Sequence, residues 1–277
     1  MTLIEHQNGN IYDFDKDEIR TLNFDIESPN FNHNFSEIEN GRGVIDNGSY
    51  LKTRKIIVSF FAESTNVQTF SLLRDEIFEM VRSEHPFYIT EQRSTNKRWV
   101  VKVDSSYNIP QVFKHGKFDI PFISLRGVAE SRKTTLDLER EGIVNDNTWS
   151  YGMGLETTDD SELKYVHTGK TFKIFNAGNV EVHPFESDLN IEIKNVIGSS
   201  TNFEMVNRTN NSRFKINKQV ASSDVWKING PVIKRNSLMA TRDTTKTFIS
   251  LEPGWNHFEI LGADSATVSF DFKFLYL

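Results

Sequence analysis

The sequence predicts a mainly β protein of two domains, an α+β domain with one helix followed by a β-sandwich. A length of 277 residues suggests two domains of ordinary size. Short strand-like runs separated by turn signals recur from Leu163 onward, which is typical of a sandwich or jelly roll. The final run alternates, which gives one strand face an apolar and aromatic character at Val268, Phe270, Phe272, Phe274 and Tyr276. We predict a first domain at 1–130, a linker at 131–150 and a second domain at 151–277.

The start of the first domain is predicted to consist of short strands and one long loop. Residues 1–24 form strands that are broken at Asn8-Gly9-Asn10. Residues 25–49 are polar and rich in Asn, Ser and Gly, which favours a loop with two turns. The run Ser49–Phe61 has the β-branched and aromatic content of a strand.

The rest of the first domain is predicted to hold the helix and a hairpin. The helix spans Thr69–Glu84, where the apolar side chains fall on one face at helical spacing and Pro86 follows the end. The segments Phe87–Thr90 and Lys97–Val103 read as the two strands of a hairpin. A strand follows at Phe113–Phe122, because Phe118, Ile120 and Phe122 share one parity. One helix on a mainly antiparallel sheet is an α+β arrangement.

The second half of the chain is predicted to consist of evenly spaced strands. Residues 131–150 carry no strong periodicity and therefore predict the linker. The strands beyond it are predicted at Lys164–Val166, Thr171–Asn176, Ile191–Val196, Asn202–Asn207, Arg213–Ile216, Val225–Asn229, Pro231–Lys234, Phe248–Leu251, His257–Leu261 and Ala266–Tyr276.

Composition excludes several classes of site. The chain has no cysteine, which excludes disulfides, thiolate zinc sites and cysteine nucleophiles. A formal net charge of −6 argues against non-specific nucleic-acid binding, since phosphate contacts need a basic face. The N-terminal residues are too polar for a secretion signal, and no apolar run approaches the roughly 20 residues of a membrane helix. We therefore expect a soluble protein with no membrane partner.

Residues that could support catalysis are present only in weak patterns. The pair Asp159-Asp160 could serve a glycosidase, which needs two carboxylates across one bond, but a solvated turn is the commoner meaning of such a pair. The seven histidines show no metal-binding spacing, and neither a nucleophile elbow nor a phosphate-binding glycine loop occurs. The sequence therefore predicts no enzyme, no metal and no cofactor.

Two aromatic residues could bind a sugar. Trp226 and Trp255 lie in the second domain, where an exposed indole could stack on a pyranose ring. Burial is the stronger expectation for Trp226, because alternation in Val225–Ile228 would place one parity in the core. The sequons that begin at Asn207 and Asn210 are expected by chance in an Asn-rich chain.

Several short motifs, taken in order, resemble one family. In the first half they are Gly41-Arg-Gly-x-x-Asp-x-Gly-x-Tyr50, Arg54-x-Ile-x-Val-x-Phe-Phe61, Leu73-Arg-Asp-Glu-Ile-Phe78, Phe87-Tyr-Ile89, Lys97-Arg-Trp-Val-Val-Lys-Val-Asp104 and Ala129-Glu-Ser131. In the second half they are Asn176-x-Gly-Asn-Val-x-Val182, Trp226-Lys-Ile-Asn-Gly230, Leu251-x-Pro-Gly-Trp-Asn256 and Phe270–Leu277. The ordered set resembles the distal tail protein (Dit) family of long-tailed phages of Gram-positive bacteria, and looks closest to staphylococcal-type phages.

The resemblance implies a fold and a structural role. It implies a ring-forming belt domain at 1–130 and a galectin-like or carbohydrate-module-like sandwich at 151–277. It further implies a hexameric ring at the virion tail tip that joins the tail tube protein to the tail-associated lysin protein while DNA passes through. Synthesis in the bacterial cytoplasm follows. Some members also hold receptor-binding proteins through an inserted arm, against which the short turns of 163–277 argue.

Subunit contacts in such a ring are expected in two parts of the first domain. The loop 25–49 and the hairpin 87–103 are the candidates, because a ring needs strand edges and loops that dock on neighbours. The residues that we assign to these contacts are Arg42, Asp46, Tyr50, Arg54, Lys97 and Arg98. Charged decoration of strand edges is the alternative role of the basic residues among them. The alternative function is a carbohydrate-binding module that attaches the particle to host wall sugars.

Overall fold

The computed structural model describes residues 2–15, 18–39, 41–143, 148–155, 162–199 and 201–277. Over these ranges the protein is mainly β, as predicted, with two α-helices, α1 (Phe70–Met80) and α2 (Thr135–Glu141). The chain separates into two compact units. The first unit holds Met1–Glu130 and Leu277, and the second holds Ser131–Tyr276. The assignment of a ring-forming role to the first unit stays a prediction.

One antiparallel sheet organises the first unit. The strands of this part of the chain are β1 (Thr2–Glu5), β2 (Ile11–Asp13), β3 (Ile19–Ile26), β4 (Phe31–Glu37), β5 (Val44–Leu51), β6 (Arg54–Glu63), β7 (Phe87–Glu91), β8 (Lys97–Val103) and β9 (His115–Ser131). The sheet takes them in the order β2-β1-β7-β8-β9-β6-β3, and β4 pairs with β5 as a separate two-stranded sheet. The predicted hairpin of β7 and β8 is confirmed, with Phe87 opposite Val101.

The core of the first unit follows from two periodicities. On β6 every second residue is buried, which places Ile56, Val58, Phe60 and Ala62 on the inner face. On α1 the buried side chains are Phe70, Leu73 and Ile77, the helical spacing that predicted this element. Gly116 of β9 allows the helix to approach, because a Cβ there would lie 2.6 Å from Cζ of Phe70.

Two predictions for the first unit are wrong. Residues 25–49 do not form a long loop, since they complete β3, form all of β4 and most of β5, and build a hairpin. Its strands are exposed on both faces, so they lack the apolar alternation that identifies a half-buried strand. The single strand expected at Ser49–Phe61 is divided between β5 and β6 at residues 52–53.

The second unit contains two antiparallel sheets. Its strands are β10 (Val166–Gly169), β11 (Thr171–Asn176), β12 (Asn190–Ile197), β13 (Phe203–Asn207), β14 (Arg213–Ile216), β15 (Trp226–Asn229), β16 (Val232–Arg235), β17 (Leu238–Met239), β18 (Gly254–Leu261), β19 (Ser265–Asp271) and β20 (Leu275–Tyr276). One sheet has the order β10-β19-β12-β15-β16-β17 and the other β11-β18-β13-β14. Their inner faces meet where the Phe258 and Phe270 rings lie 5.0 Å apart. The galectin-like description of this unit stays a prediction.

Three strand predictions for the second unit differ from the structure. The strand expected at Lys164–Val166 is β10, which begins only at Val166. The run Phe248–Leu251 joins the sheet network only through an isolated bridge between Val182 and Leu251. The closing run is interrupted, so that β19 ends at Asp271 and β20 begins at Leu275. Phe272 and Phe274 are nevertheless buried, and the predicted aromatic face therefore does supply core.

The segment predicted as a linker contributes to the second unit. Helix α2 begins with a capping box in which Thr134 and Asp137 exchange hydrogen bonds. The hydroxyl of Thr135 donates to the carbonyl of Phe270 at 3.1 Å and accepts from the amide of Phe272 at 3.2 Å. A helix of seven residues is too short to show a clear hydrophobic period. Its capping box was the signal that could have revealed it.

Candidate functional site

The β4–β5 hairpin carries a group of exposed apolar side chains. Phe35, Val44, Ile45 and Tyr50 are each more than half exposed, at 57%, 55%, 53% and 54%. Exposed apolar residues are ordinary when scattered, whereas a group of them on one element is typical of an interaction surface. An isolated two-stranded hairpin is also only marginally stable in water. The hairpin therefore has the properties of an element that is completed by a partner.

Local hydrogen bonds shape the hairpin. Nδ1 of His33 lies 2.6 Å from the hydroxyl of Ser49, and the amide of Gly48 donates to Oδ1 of Asp46 at 2.9 Å. A register shift between His33 and Phe35 marks a bulge, and Gly48 on the opposite strand has φ 101°. Bulges increase twist and redirect side chains. The ribbon is thus shaped by its own polar residues.

The base of the hairpin packs closely on β9. A Cβ at Gly127 would lie 2.3 Å from the carbonyl oxygen of Lys52 and 3.1 Å from the Leu51 side chain. Gly127 also has φ 71°, which disfavours other residues. The amide of Lys52 donates to the carbonyl of Asn30 at 2.8 Å and closes the ribbon. Close backbone contact therefore fixes the hairpin where it meets β9.

Three of the predicted contact residues lie together on this hairpin. Arg42 lies in the connection between β4 and β5, and Asp46 and Tyr50 lie on β5. All three are exposed. Their placement on an accessible ribbon is compatible with contact to a neighbouring subunit, and that contact stays a prediction.

The other three predicted contact residues have partners inside the first unit. Arg54 is only 9% exposed, donates through Nε to the carbonyl of Glu27, and lies with its guanidinium carbon 5.1 Å from the centre of the Trp99 ring. Burial lowers the pKa of Arg54 below its ordinary value. Burial likewise lowers the pKa of Lys97. These side chains are thus engaged within the fold.

Arg98 belongs to an intramolecular charge network. Its Nε donates to Oε1 of Glu130 at 3.0 Å, and Nη1 lies 3.7 Å from Glu5. Its guanidinium carbon lies 3.6 Å from the centre of the Tyr88 ring. Arg126 approaches the other oxygen of Glu130 at 3.7 Å. The network gives Arg98 a structural role that the sequence alone did not indicate.

The two tryptophans assigned to sugar stacking occupy different environments. Trp226 on β15 is fully buried, so it presents no exposed ring face. Trp255 on β18 is half-buried, with Nζ of Lys173 4.2 Å from its ring centre and the Phe175 ring 4.8 Å away. The expectation of burial for Trp226 is correct, and Trp255 is partly covered by its neighbours.

The Asn-rich segments build a buried network in the second unit. Nδ2 of Asn207 donates to Oδ1 of Asn256 at 2.8 Å and to the carbonyl of Ser250 at 2.9 Å. Nδ2 of Asn256 donates in turn to the carbonyl of Glu252 at 2.7 Å. Sequence reasoning dismissed Asn207 as part of a chance sequon. Only the fold brings these distant amides together.

The sequence predicts neither a metal site nor a membrane-spanning helix, and the described residues bear on these two features. Within the described ranges, no group of three or more His, Asp and Glu residues is arranged to hold a metal ion. Among the same residues, no helix has the length and apolar character to cross a membrane. Asp159 and Asp160 lie outside the described residues.

Comparison with known families gives a match that lies within the first unit. Residues 11–124 match the family described as "Phage tail protein RIFT-related domain". No curated protein sequence matches the chain. The family match covers most of the main sheet together with the β4–β5 hairpin.

A solved phage protein shares the fold of the whole chain. It is the Dit protein (gp 19.1) of phage SPP1, described as a paradigm of the hub adsorption apparatus in phages infecting Gram-positive bacteria. The TM-score is 0.66 at 10% identity, with 99% of each chain covered. A component of the phage p2 baseplate in its activated conformation with Sr aligns at a TM-score of 0.46 and 9% identity, covering 98% of this chain and 97% of that one. The SPP1 fold and the family match confirm the resemblance to the distal tail family, while a staphylococcal-type host stays a prediction.

Proposed function

We propose that the protein is a structural, non-enzymatic component of a phage tail tip, acting as a distal tail hub. In this proposal, six copies associate head to tail into a ring that joins the tail tube protein to the tail-associated lysin protein. The protein is made in the bacterial host cytoplasm and incorporated into the virion. The phage tail domain at 11–124 and the shared SPP1 Dit fold support the class.

The exposed β4–β5 hairpin is the observation that carries the self-association. Its apolar side chains are half or more exposed at Phe35, Val44, Ile45 and Tyr50 in the single chain. Covering them in an assembly would be favourable at about 25 cal/mol per Å² of apolar surface. Among the described residues, neither β4 nor β5 pairs with a third strand, so the outer edges of the hairpin can add a strand from a neighbour. A head-to-tail contact of this kind closes into a ring when the rotation between neighbouring copies is a whole fraction of a full turn.

The proposed ring would admit DNA without retaining it. The chain has a formal net charge of −6, and a passing duplex would be held only by a basic lining. We therefore expect a neutral or acidic lumen. A ring structure with Lys or Arg side chains at the narrowest radius would contradict this part of the proposal.

The self-association is tested by the mass of the purified full chain. Native mass spectrometry and negative-stain imaging should show closed rings of the wild type. Ile45→Glu places a charge within the proposed contact and should shift the protein to monomer. The matched control is Leu238→Glu on β17, which is 73% exposed in the second unit and should leave the ring intact.

Two results would argue against the hairpin as the contact. One is an Ile45→Glu variant that forms the same rings as the wild type. The other is a wild-type chain that stays monomeric at the highest concentration that sedimentation measurements permit. Circular dichroism of both variants verifies that any change in mass is not caused by unfolding.

A further inference from the structure

The second unit also contains an open groove. It has a volume of about 680 Å³, within the roughly 300–1,000 Å³ range of small-molecule sites. Its walls come from three separate parts of the chain: the segment after Asn176, the turn between β13 and β14, and the segment that leads into β18. The residues that line it include Glu181, His183, Phe185, Asn211, Arg213 and Lys246.

One wall of the groove is aromatic and exposed. The Phe185 side chain is 58% exposed, so its ring is accessible from the groove. The Phe248 ring supports it edge-on at 4.9 Å, and the His183 ring lies 5.6 Å away. Edge-to-face packing holds the phenyl ring in position. A flat apolar ring is thereby presented to a ligand.

The rest of the groove is polar and of mixed charge. Glu181, Asn211, Arg213 and Lys246 are all exposed and line it. Together they offer hydrogen-bond donors and acceptors, including a carboxylate, an amide and a guanidinium. A purely apolar ligand would leave these groups unpaired, and a small anion would make no use of the phenyl ring. A molecule with an apolar C–H face and many hydroxyl groups satisfies both parts.

A hydrogen-bond network supports the floor of the groove. The hydroxyl of Ser212 accepts from the amide of Ser250 at 3.1 Å, and Nδ2 of Asn210 donates to the hydroxyl of Ser250 at 2.9 Å. The buried Asn207 amide fixes the Ser250 carbonyl from beneath. Such a supported network preorganises the groups above it.

Backbone conformation at the rim of the groove also favours a binding site. Asn211 and Lys246 have φ of 60° and 59°, in the left-handed region that residues other than glycine rarely occupy. Asparagine tolerates this conformation, whereas lysine is strained there by about 1–3 kcal/mol. Strain of this kind is retained where the surrounding structure enforces it and is concentrated at binding sites. Both residues line the groove, and Lys246 is the strained one.

We propose that this groove is a binding site for a neutral saccharide. The Phe185 ring would pack on the C–H face of one sugar unit, while Asn211, Arg213 and Glu181 would bind hydroxyl groups. The site differs from the two tryptophans first considered, since Trp226 is buried and Trp255 lies on the β11–β18 pair. The inference is independent of ring assembly, because the hairpin that carries assembly belongs to the first unit.

The experiment uses the full chain and an array of neutral hexose and N-acetylhexosamine oligosaccharides, followed by calorimetric titration with the best binder. Phe185→Ala should weaken binding at least roughly tenfold, which corresponds to about 1.4 kcal/mol. Asn211→Gly is a sharper variant, since glycine keeps the left-handed backbone and removes only the amide. It should weaken binding several-fold without loss of fold. Leu238→Ala, on β17, is the matched control and should bind like the wild type.

Three outcomes would overturn the proposal. The first is that no neutral oligosaccharide binds the wild-type chain. The second is that Phe185→Ala binds as well as Leu238→Ala, which would place the sugar elsewhere. The third is that only phosphorylated or acidic sugars bind, which would assign the groove to anions. Amide NMR spectra of each variant separate loss of binding from loss of fold.

Discussion

The β4–β5 hairpin and strand β19 contain similar apolar side chains but present them in opposite ways. On β19, Ala266, Val268 and Phe270 are at most 1% exposed, because the second sheet of that unit covers them. On the hairpin, Phe35 and Ile45 are more than half exposed, because they lie on a separate two-stranded ribbon. The difference shows that an apolar strand face contributes stability only through the surface that covers it. For β19 that contact is intramolecular, and for the hairpin we propose that it is intermolecular.

The largest expected effect is on the covered strand. Phe270→Ala removes a fully buried ring that contacts Phe258 and should lower the free energy of unfolding by about 3–5 kcal/mol. Urea denaturation monitored by tryptophan fluorescence measures it. A loss of less than about 1 kcal/mol would mean that β19 is not the closed core element described above.

A second effect tests the polar part of the same unit. Asn256→Ala removes an amide that accepts from Asn207 and donates to the carbonyl of Glu252. Buried groups left unpaired cost about 1–3 kcal/mol, and stability should fall by that amount. Equilibrium unfolding gives the value. Stability equal to that of the wild type would show that water replaces the amide and that the network is not rigid.

A third effect tests the exposed ribbon. Tyr50→Ala changes a side chain that is 54% exposed and should alter the free energy of unfolding of the single chain by no more than about 0.5 kcal/mol. It should nevertheless weaken self-association, which sedimentation velocity over a concentration series measures. A loss of stability without any change in self-association would mean that Tyr50 contributes to the fold of the single chain and does not contribute to a contact between copies.

The smallest effect concerns pH. Burial acts to raise the pKa of Asp137, but hydrogen bonds from Thr134 and the charge of Arg140 outweigh it and leave the pKa lowered. The stabilisation is therefore complete above the unfolded value of about 3.9 and is lost as pH falls through the folded pKa. Asp137→Asn should be less stable than the wild type near neutral pH, and the difference should shrink below about pH 4. Thermal unfolding at several pH values measures this; a difference independent of pH would exclude the carboxylate as its cause.

Local patterns predicted much of the molecule. Helix α1 was identified from the spacing of Phe70, Leu73 and Ile77, and the β7–β8 hairpin from its two flanking runs. The aromatic face of the final strand region also predicted core, and Phe270, Phe272 and Phe274 are buried. These features depend on residues close in sequence, so periodicity alone reveals them. The ordered motifs, also readable from the chain, indicated the phage tail family.

Tertiary structure decided which surfaces are covered and which residues meet. Strands β4 and β5 have a loop-like composition yet pair as a ribbon, since backbone hydrogen bonding does not require an apolar face. Arg54 and Arg98 were assigned to subunit contacts, but distant partners such as Trp99 and Glu130 engage them within the fold. The groove at Phe185 is likewise assembled from three separated segments. Periodicity is a local property of the chain, whereas burial and convergence depend on contacts between residues far apart in sequence.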